Sequence, residues 1–210
     1  FFMPYKTIKF KDIEVYYTHE LDGGGTTFGQ DYLYFIPRLS KRKFNRIYEW
    51  CAGPGFIGFS LLANGFCDSL CVSDIHPPAV EALKETVKKN NLEDKVSIYL
   101  SNSLDDIPKN EKWDLVVGNP PHYKKLPKQK NLNIDRTRIV FDENLEIHKS
   151  FYKKIKKHLS EEGVVILQEN WLGTACDDFT EMITEGGLEI KFTFPCLDRF
   201  YYLCTSRPEN

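Results

Sequence analysis

The sequence predicts an α/β fold, a doubly wound and mostly parallel sheet of seven strands that ends in a C-terminal antiparallel hairpin. Three observations predict it. From Arg46 onward, short apolar runs alternate with stretches of helical periodicity, the rhythm of β-α-β units covered on both faces. A glycine turn, Gly53-Pro54-Gly55, stands at the first passage from strand to helix, where open parallel sheets receive nucleotide-like ligands. The last two apolar runs follow one another with no helix between them, so they pair as a hairpin at one edge of the sheet.

Before Arg46, the alternation in Ile8-Lys9-Phe10 and Ile13–Tyr17 predicts two strands. His19 to Gln30, with its Gly23-Gly24-Gly25 run, is expected to be a mobile loop. Tyr32–Ile36 is apolar throughout, and periodicity leaves it open between helix and strand. The core then reads as strand Arg46–Cys51, helix Ile57–Asn64, strand Ser69–Ser73 and helix Ala79–Asn90. Strands Val96–Leu100 and Trp113–Val117, helix Leu145–His158, strand Gly163–Gln168 and helix Cys176–Thr184 follow. Strands Leu188–Phe194 and Phe200–Thr205 close it. Pro77 and Pro78 suit the first turn of the Ala79 helix, and Asn90-Asn91 suits its exit. The run Lys153 to His158 puts cations at the negative end of a helix dipole.

A chain of 210 residues, 41% apolar and 28% charged, is long enough for one well-buried domain and too short for two ordinary ones. Residues 1–45 read as an N-terminal extension packing on a core of 46–210, a single globular domain overall. No apolar run reaches the roughly 20 residues that span a bilayer, and the start lacks the pattern of a secretion signal. A cytoplasmic protein without membrane contact is expected. The six cysteines make no Cys-x-x-Cys pair and have no closely spaced histidine, so no metal site is expected and buried reduced thiols are. The net charge of −2 is unevenly spread: residues 119–158 carry 11 basic and 4 acidic groups, while residues 159–210 carry 3 and 10.

Three motifs carry chemistry. Glu49-Trp50-Cys51-Ala52-Gly53-Pro54-Gly55-Phe56-Ile57-Gly58 forms the strand-to-helix turn, where glycines let a ligand approach the backbone. Asp74 ends the second core strand, 25 residues after Glu49, and a carboxylate there can accept both hydroxyls of a ribose. Its alternative is capping the helix that follows. Asn119-Pro120-Pro121-His122-Tyr123 follows the fourth core strand. An amide or exocyclic amine donates its lone pair into a π system and is a poor nucleophile. Two acceptors on its N–H groups turn the lone pair outward and stabilise the positive charge that appears as a bond forms. The Asn119 side-chain oxygen and the Pro120 carbonyl supply those acceptors, with Pro121 fixing the chain around them.

In this order the motifs resemble the class I, Rossmann-like S-adenosylmethionine-dependent methyltransferases. The resemblance is strongest to the branch whose fourth motif is Asn/Asp-Pro-Pro followed by an aromatic residue. That branch includes adenine N6-, ribosomal-RNA guanine N2- and release-factor glutamine methyltransferases, and the resemblance covers about residues 46 to 206. It implies that Glu49, Cys51, Ala52, Gly53, Pro54, Gly55 and Gly58 hold the methionine end of S-adenosyl-L-methionine, with Asp74 on the ribose. It further implies that Ile75 packs on the adenine, and that Asn102 and Ser103 lie beside its amine, Asn102 standing where relatives commonly have Asp. Asn119 touches both the cofactor and the acceptor. Cys51 replaces the first glycine of the usual turn. His122 stands where a Phe, Tyr or Trp usually stacks on the target, and either it or Tyr123 serves.

The basic stretch Lys124, Lys125, Lys128, Lys130, Arg136 and Arg138 follows at once. It holds the phosphates of a nucleic acid or is a solvated flap. The acceptor implied first is the exocyclic amine of a base in RNA or DNA, and the alternatives are a protein glutamine or a small-molecule amine. Pro78-Ala79-Val80-Glu81-Ala82 resembles the equivalent helix of the guanine enzymes. A nicotinamide-dependent oxidoreductase shares the glycine turn and Asp74 but does not call for Asn-Pro-Pro. A non-catalytic cofactor-binding subunit is opposed by the intact motif.

Overall fold

The computed structural model describes residues 5–23, 25–125, 137, 139–196 and 199–209. Two compact units divide the chain between Ile107 and Pro108, and the strands they supply form a mostly parallel seven-stranded sheet.

In the first unit, β1 (Lys6–Phe10) and β2 (Ile13–Tyr17) form an antiparallel hairpin. There follow α1 (Gly25–Leu39), β3 (Phe44–Trp50), α2 (Phe56–Ala63), β4 (Cys67–Asp74), α3 (Pro77–Lys89) and β5 (Val96–Leu100). The unit's sheet strands run parallel in the order β5-β4-β3. Phe56 to Leu62 of α2 are all buried, as expected of a short helix apolar on every side. The hairpin is tied to α3 through side chains: Thr86 Oγ1 accepts the Tyr16 N–H and Asn90 Oδ1 accepts the Glu14 N–H, each at 2.9 Å.

The loop expected over His19 to Gln30 ends early, because a 3-10 turn spans His19–Leu21 and α1 starts at Gly25. Tyr32, Phe35 and Ile36 are buried, at the i, i+3, i+4 spacing of a helix face, which decides the open Tyr32–Ile36 run as helix. Gly29 explains why a glycine-bearing segment is helical: a Cβ there would lie 3.0 Å from the Phe56 carbonyl oxygen. Its missing side chain permits close packing of α1 on α2, and tertiary burial outweighs the poor local propensity.

The second unit contains β6 (Trp113–Gly118), α4 (Glu146–Ile155), β7 (Leu159–Asn170), α5 (Asp177–Glu185), β8 (Glu189–Pro195) and β9 (Phe200–Ser206). Its strand order is β6-β7-β9-β8. β6 and β7 are parallel, and β9 pairs antiparallel with both β7 and β8, so the closing hairpin forms as expected with β8 at the edge. Helix α4 buries His148, Phe151, Tyr152 and Ile155, one face at helical spacing that includes a histidine. Among the described residues, no helix is long and apolar enough to cross a membrane.

Candidate active site

The first unit gathers its site residues where β3, β4 and β5 end. Strand register sets Glu49 opposite Val72 and Asp74 opposite Leu100, so Glu49, Asp74 and the loop after Leu100 share one edge. Glu49 is buried, and its Oε2 accepts the Gly58 N–H at 2.6 Å. Burial pushes its carboxyl up to about 8, against the hydrogen bonds from the Gly58 and Ile57 backbone that favour the charged form. Gly58 leaves room for this carboxylate, because a Cβ would lie 2.7 Å from Glu49 Oε2 and 2.8 Å from Leu70 Cδ1 and would make those side-chain ends shift.

The turn between them is tightly specified. Cys51 has φ +52°, a left-handed conformation that explains why glycine is usual there and marks Cys51 as a strained replacement. Ala52 donates to the Ser73 carbonyl at 3.0 Å, and Gly55 donates to the Ala52 carbonyl at 2.8 Å. Pro54 is buried. Gly53, at φ +53°, has open space where a Cβ would stand. Asp74 Oδ2 accepts the Gly53 N–H and Oδ1 accepts the His76 N–H, both at 2.8 Å. The aspartate therefore ties the glycine turn to the start of α3 while each oxygen keeps a further lone pair. Burial raises its carboxyl, opposed by those two N–H groups. Beside it Ile75 is 63% exposed. Asn102 is exposed, whereas Ser103 is buried, with φ +53° and no hydrogen-bond partner for its hydroxyl.

The second unit places the Asn-Pro-Pro motif directly after β6. Asn119 is half-buried, and its Oδ1 is fully buried without a hydrogen-bond partner. Such an orphan acceptor costs about 1–3 kcal/mol when left unpaired. Pro120 and Pro121 are buried. Tyr123 is half-buried; its backbone N–H donates to the Val140 carbonyl at 2.9 Å and its own carbonyl accepts the Asp142 N–H at 3.0 Å. On the other side the chain passes so close that a Cβ at Gly173 would lie 2.3 Å from the His122 carbonyl oxygen. Just before it, Trp171 stacks on Tyr201 at 3.9 Å and remains 49% exposed.

Behind the motif lies a buried ionic network absent from the sequence reading. His148 Nδ1 meets Asp142 Oδ2 at 2.6 Å and His148 Nε2 meets Glu169 Oε1 at 2.9 Å. Glu169 Oε2 faces His122 Nδ1 at 3.4 Å. Asp142 also accepts the Ile147 and His148 N–H groups, which serves the open first turn of α4. Burial alone would lower the His148 ring, but Glu169 and Asp142 outweigh it and lift it to about 9. Glu169 is held below the usual carboxylate range: burial would raise it, and the His148 and His122 rings reverse that. The signals that could have exposed these residues were a histidine on the apolar face of α4 and a glutamate at the end of β7.

The pH dependence of stability follows in sign. His148 and Glu49 both have folded values above their unfolded ones, so the stability they contribute is lost as pH rises, through about 9 and about 8 respectively. Glu169 is depressed, and its share is lost as pH falls below the ordinary carboxylate range. Glu49 begins to lose its share above its unfolded value of 4.5 and His148 above 6.5, so the thermal midpoint is expected to be highest near pH 5 and to drop by several degrees toward pH 9. Calorimetry across that range checks it, and a flat alkaline limb would contradict a charged His148.

Among the expected acceptor contacts, Lys124 pairs with Asp178 at 2.6 Å and Lys125 is exposed. Lys128, Lys130, Arg136 and Arg138 lie outside the described residues. Among the described residues, no group of three or more His, Cys, Asp or Glu is arranged to hold a metal ion, and the six cysteines form no disulfide.

Residues 11–170 match the family described as the methyltransferase small domain. The release factor glutamine methyltransferase of Aquifex aeolicus is 27% identical over 126 residues, 58% of this chain and 44% of that protein. The ribosomal protein uL3 glutamine methyltransferase of Francisella tularensis subsp. tularensis is 27% identical over 128 residues, 58% of this chain and 40% of that one. The chain thus spans less than half the length of these two relatives. Among solved structures, a S-adenosylmethionine-dependent methyltransferase from Clostridium acetobutylicum superposes with a TM-score of 0.64 at 10% identity, over 88% of this chain and 92% of that one. The glycine turn, the strand-end aspartate and the Asn-Pro-Pro motif sit on a fold of that kind, and the chain belongs to the methyltransferase small-domain family, whose Rossmann-like members use S-adenosylmethionine.

Proposed function

We propose that the chain transfers the methyl group of S-adenosylmethionine to a planar, conjugated nitrogen. The observation that carries this reading is the buried, unpartnered Oδ1 of Asn119 at the head of Asn-Pro-Pro. The cofactor supplies an electrophilic methyl on a sulfonium. The first unit's residues fit it: Gly53 leaves open backbone space, Asp74 keeps spare acceptor capacity, and Ile75 offers an exposed apolar face. Glu49 would take the cationic amino group, Gly53 and its neighbours the methionine chain, Asp74 the ribose, and Asn102 the adenine amine. Asn119 Oδ1 and the Pro120 carbonyl then accept the N–H groups of the acceptor and orient its lone pair.

The acceptor we favour is the side-chain amide of a protein glutamine, because the sequence relatives named above carry that activity. A base amine is the second reading, supported by charge: Lys109, Lys112, Lys153, Lys156, Lys157 and Arg207 line a cleft of about 730 Å³ where β6 and β7 start, the sheet edge opposite Asn119, a form suited to the phosphates of a long polyanion and not to the reacting base. Incubating the chain with methyl-labelled cofactor and a fractionated lysate separates the two. Label sensitive to protease and resistant to RNase supports glutamine, and the converse supports the base.

Asp74→Ala should weaken cofactor binding by about 1–3 kcal/mol, the scale of losing charge-assisted hydrogen bonds. The loss includes the anchor that Asp74 gives the Gly53 amide. An unchanged calorimetric affinity would remove Asp74 from the site.

A further inference from the structure

His122 occupies the position where the family's motif carries a stacking ring, and a histidine there brings two nitrogens that a phenyl ring lacks. One of them has a single neighbour of opposite charge. Nδ1 is buried and faces Glu169 Oε2 at 3.4 Å, and neither atom has a hydrogen-bond partner elsewhere or a well-formed one in the other. Glu169 is itself held, since its other oxygen meets His148 Nε2 at 2.9 Å and His148 Nδ1 meets Asp142 at 2.6 Å. All three supporting side chains are completely buried. The Tyr152 and Tyr201 hydroxyls also feel the Glu169 charge, and Phe179 covers the His148 ring at 5.0 Å. Phe200 and Tyr123 flank His122 edge-on at 5.7 Å and 6.4 Å.

A neutral imidazole carries its proton on the nitrogen that has an acceptor. With two carboxylates around it, His148 donates from both nitrogens, so Glu169 remains an anion and can only accept from His122. The proton of neutral His122 is then on Nδ1, and the lone pair is on Nε2, across the ring from Glu169. Deeply buried ionic groups are costly to maintain, so a four-member array ending on a motif residue calls for a reason beyond stability.

We infer that Asp142, His148 and Glu169 are positioning residues that fix the ring and tautomer of His122, so that its Nε2 accepts the proton the acceptor nitrogen must release. As the new C–N bond forms and the C–S bond breaks, the electron pair of that bond stays on sulfur and the nitrogen carries one proton too many. One of the two protons that Asn119 Oδ1 and the Pro120 carbonyl held leaves its acceptor and passes to His122 Nε2, the imidazolium is stabilised by Glu169 through Nδ1, and solvent later takes the proton away. The inference rests on reading Asn-Pro-Pro-His as the methyl-transfer site, yet its first test needs neither cofactor nor acceptor.

Long-range proton–nitrogen spectra of the uniformly ¹⁵N-labelled chain at pH 7 report the tautomer directly. His148 should show both nitrogens protonated, and neutral His122 a proton on Nδ1 with a bare Nε2. In Glu169→Gln, which keeps the side chain's shape, His122 should revert to the Nε2–H form that a free imidazole prefers. Asp142→Asn reads the array from its far end and should remove the second proton of His148. A wild-type His122 protonated on Nε2 overturns the inference, and this holds even if the variants fail to fold. In the labelled-lysate assay, Glu169→Gln should slow transfer about tenfold to a hundredfold with cofactor affinity unchanged, and an unchanged rate overturns the proton-accepting role. Absence of all transfer in the wild type would instead strike the methyl-transfer reading and leave the tautomer result standing.

Discussion

Replacing Asn119 with Ala is expected to lower turnover by roughly two or more powers of ten, the scale seen when a preorganised transition-state partner is removed, while cofactor affinity stays within a few-fold. The split follows from the role proposed for the oxygen. In the free chain Asn119 Oδ1 is buried and unpaired, so its cost is already carried by the fold, and an acceptor N–H that meets it regains that cost. The bond strengthens as positive charge appears on the nitrogen, so the interaction is worth more in the transition state than in the ground state. Asn119→Asp keeps an acceptor oxygen and should retain more activity than Ala. Measured by single-turnover transfer of labelled methyl, equal rates for Ala and wild type would falsify the mechanism while leaving the fold untouched.

Much of the candidate site was legible in the amino-acid order because its parts are local. Glu49, Gly53 and Gly58 lie within one strand-to-helix turn, and Asp74 ends the next strand, so spacing alone brings them to one edge. Asn119 announces itself through the two prolines that follow it. What stayed hidden was assembled from distant segments. Asp142, His148 and Glu169 reach one another from a loop, a helix face and a strand end, and nothing in the separation of 21 residues between His148 and Glu169 specifies a contact. The same holds for α1, where glycines suggest a loop and packing of Gly29 against Phe56 decides for a helix. Gly173 is silent in sequence for a related reason, since its role is to leave room for the His122 carbonyl.

Glu49 carries the other large expected effect, a cofactor affinity that climbs with pH. In the free chain its carboxyl sits at about 8 because burial disfavours the charge, so at pH 6 it is almost wholly protonated. If it receives the cationic amino group of S-adenosylmethionine, the bound state requires the carboxylate, and binding below pH 8 must release a proton. Each unit of pH below that value then costs about 1.4 kcal/mol of binding free energy, or tenfold in the dissociation constant. Affinity is expected to rise roughly fiftyfold between pH 6 and pH 8 on this basis. Titration calorimetry in buffers of different ionisation enthalpy should count close to one proton released per cofactor at pH 6. Glu49→Gln keeps an oxygen for the Gly58 N–H and removes the titration, so its weaker affinity should be flat with pH. A wild-type affinity equally flat, with no proton released, would mean that the amino group is bound elsewhere and that Glu49 serves only to hold the turn.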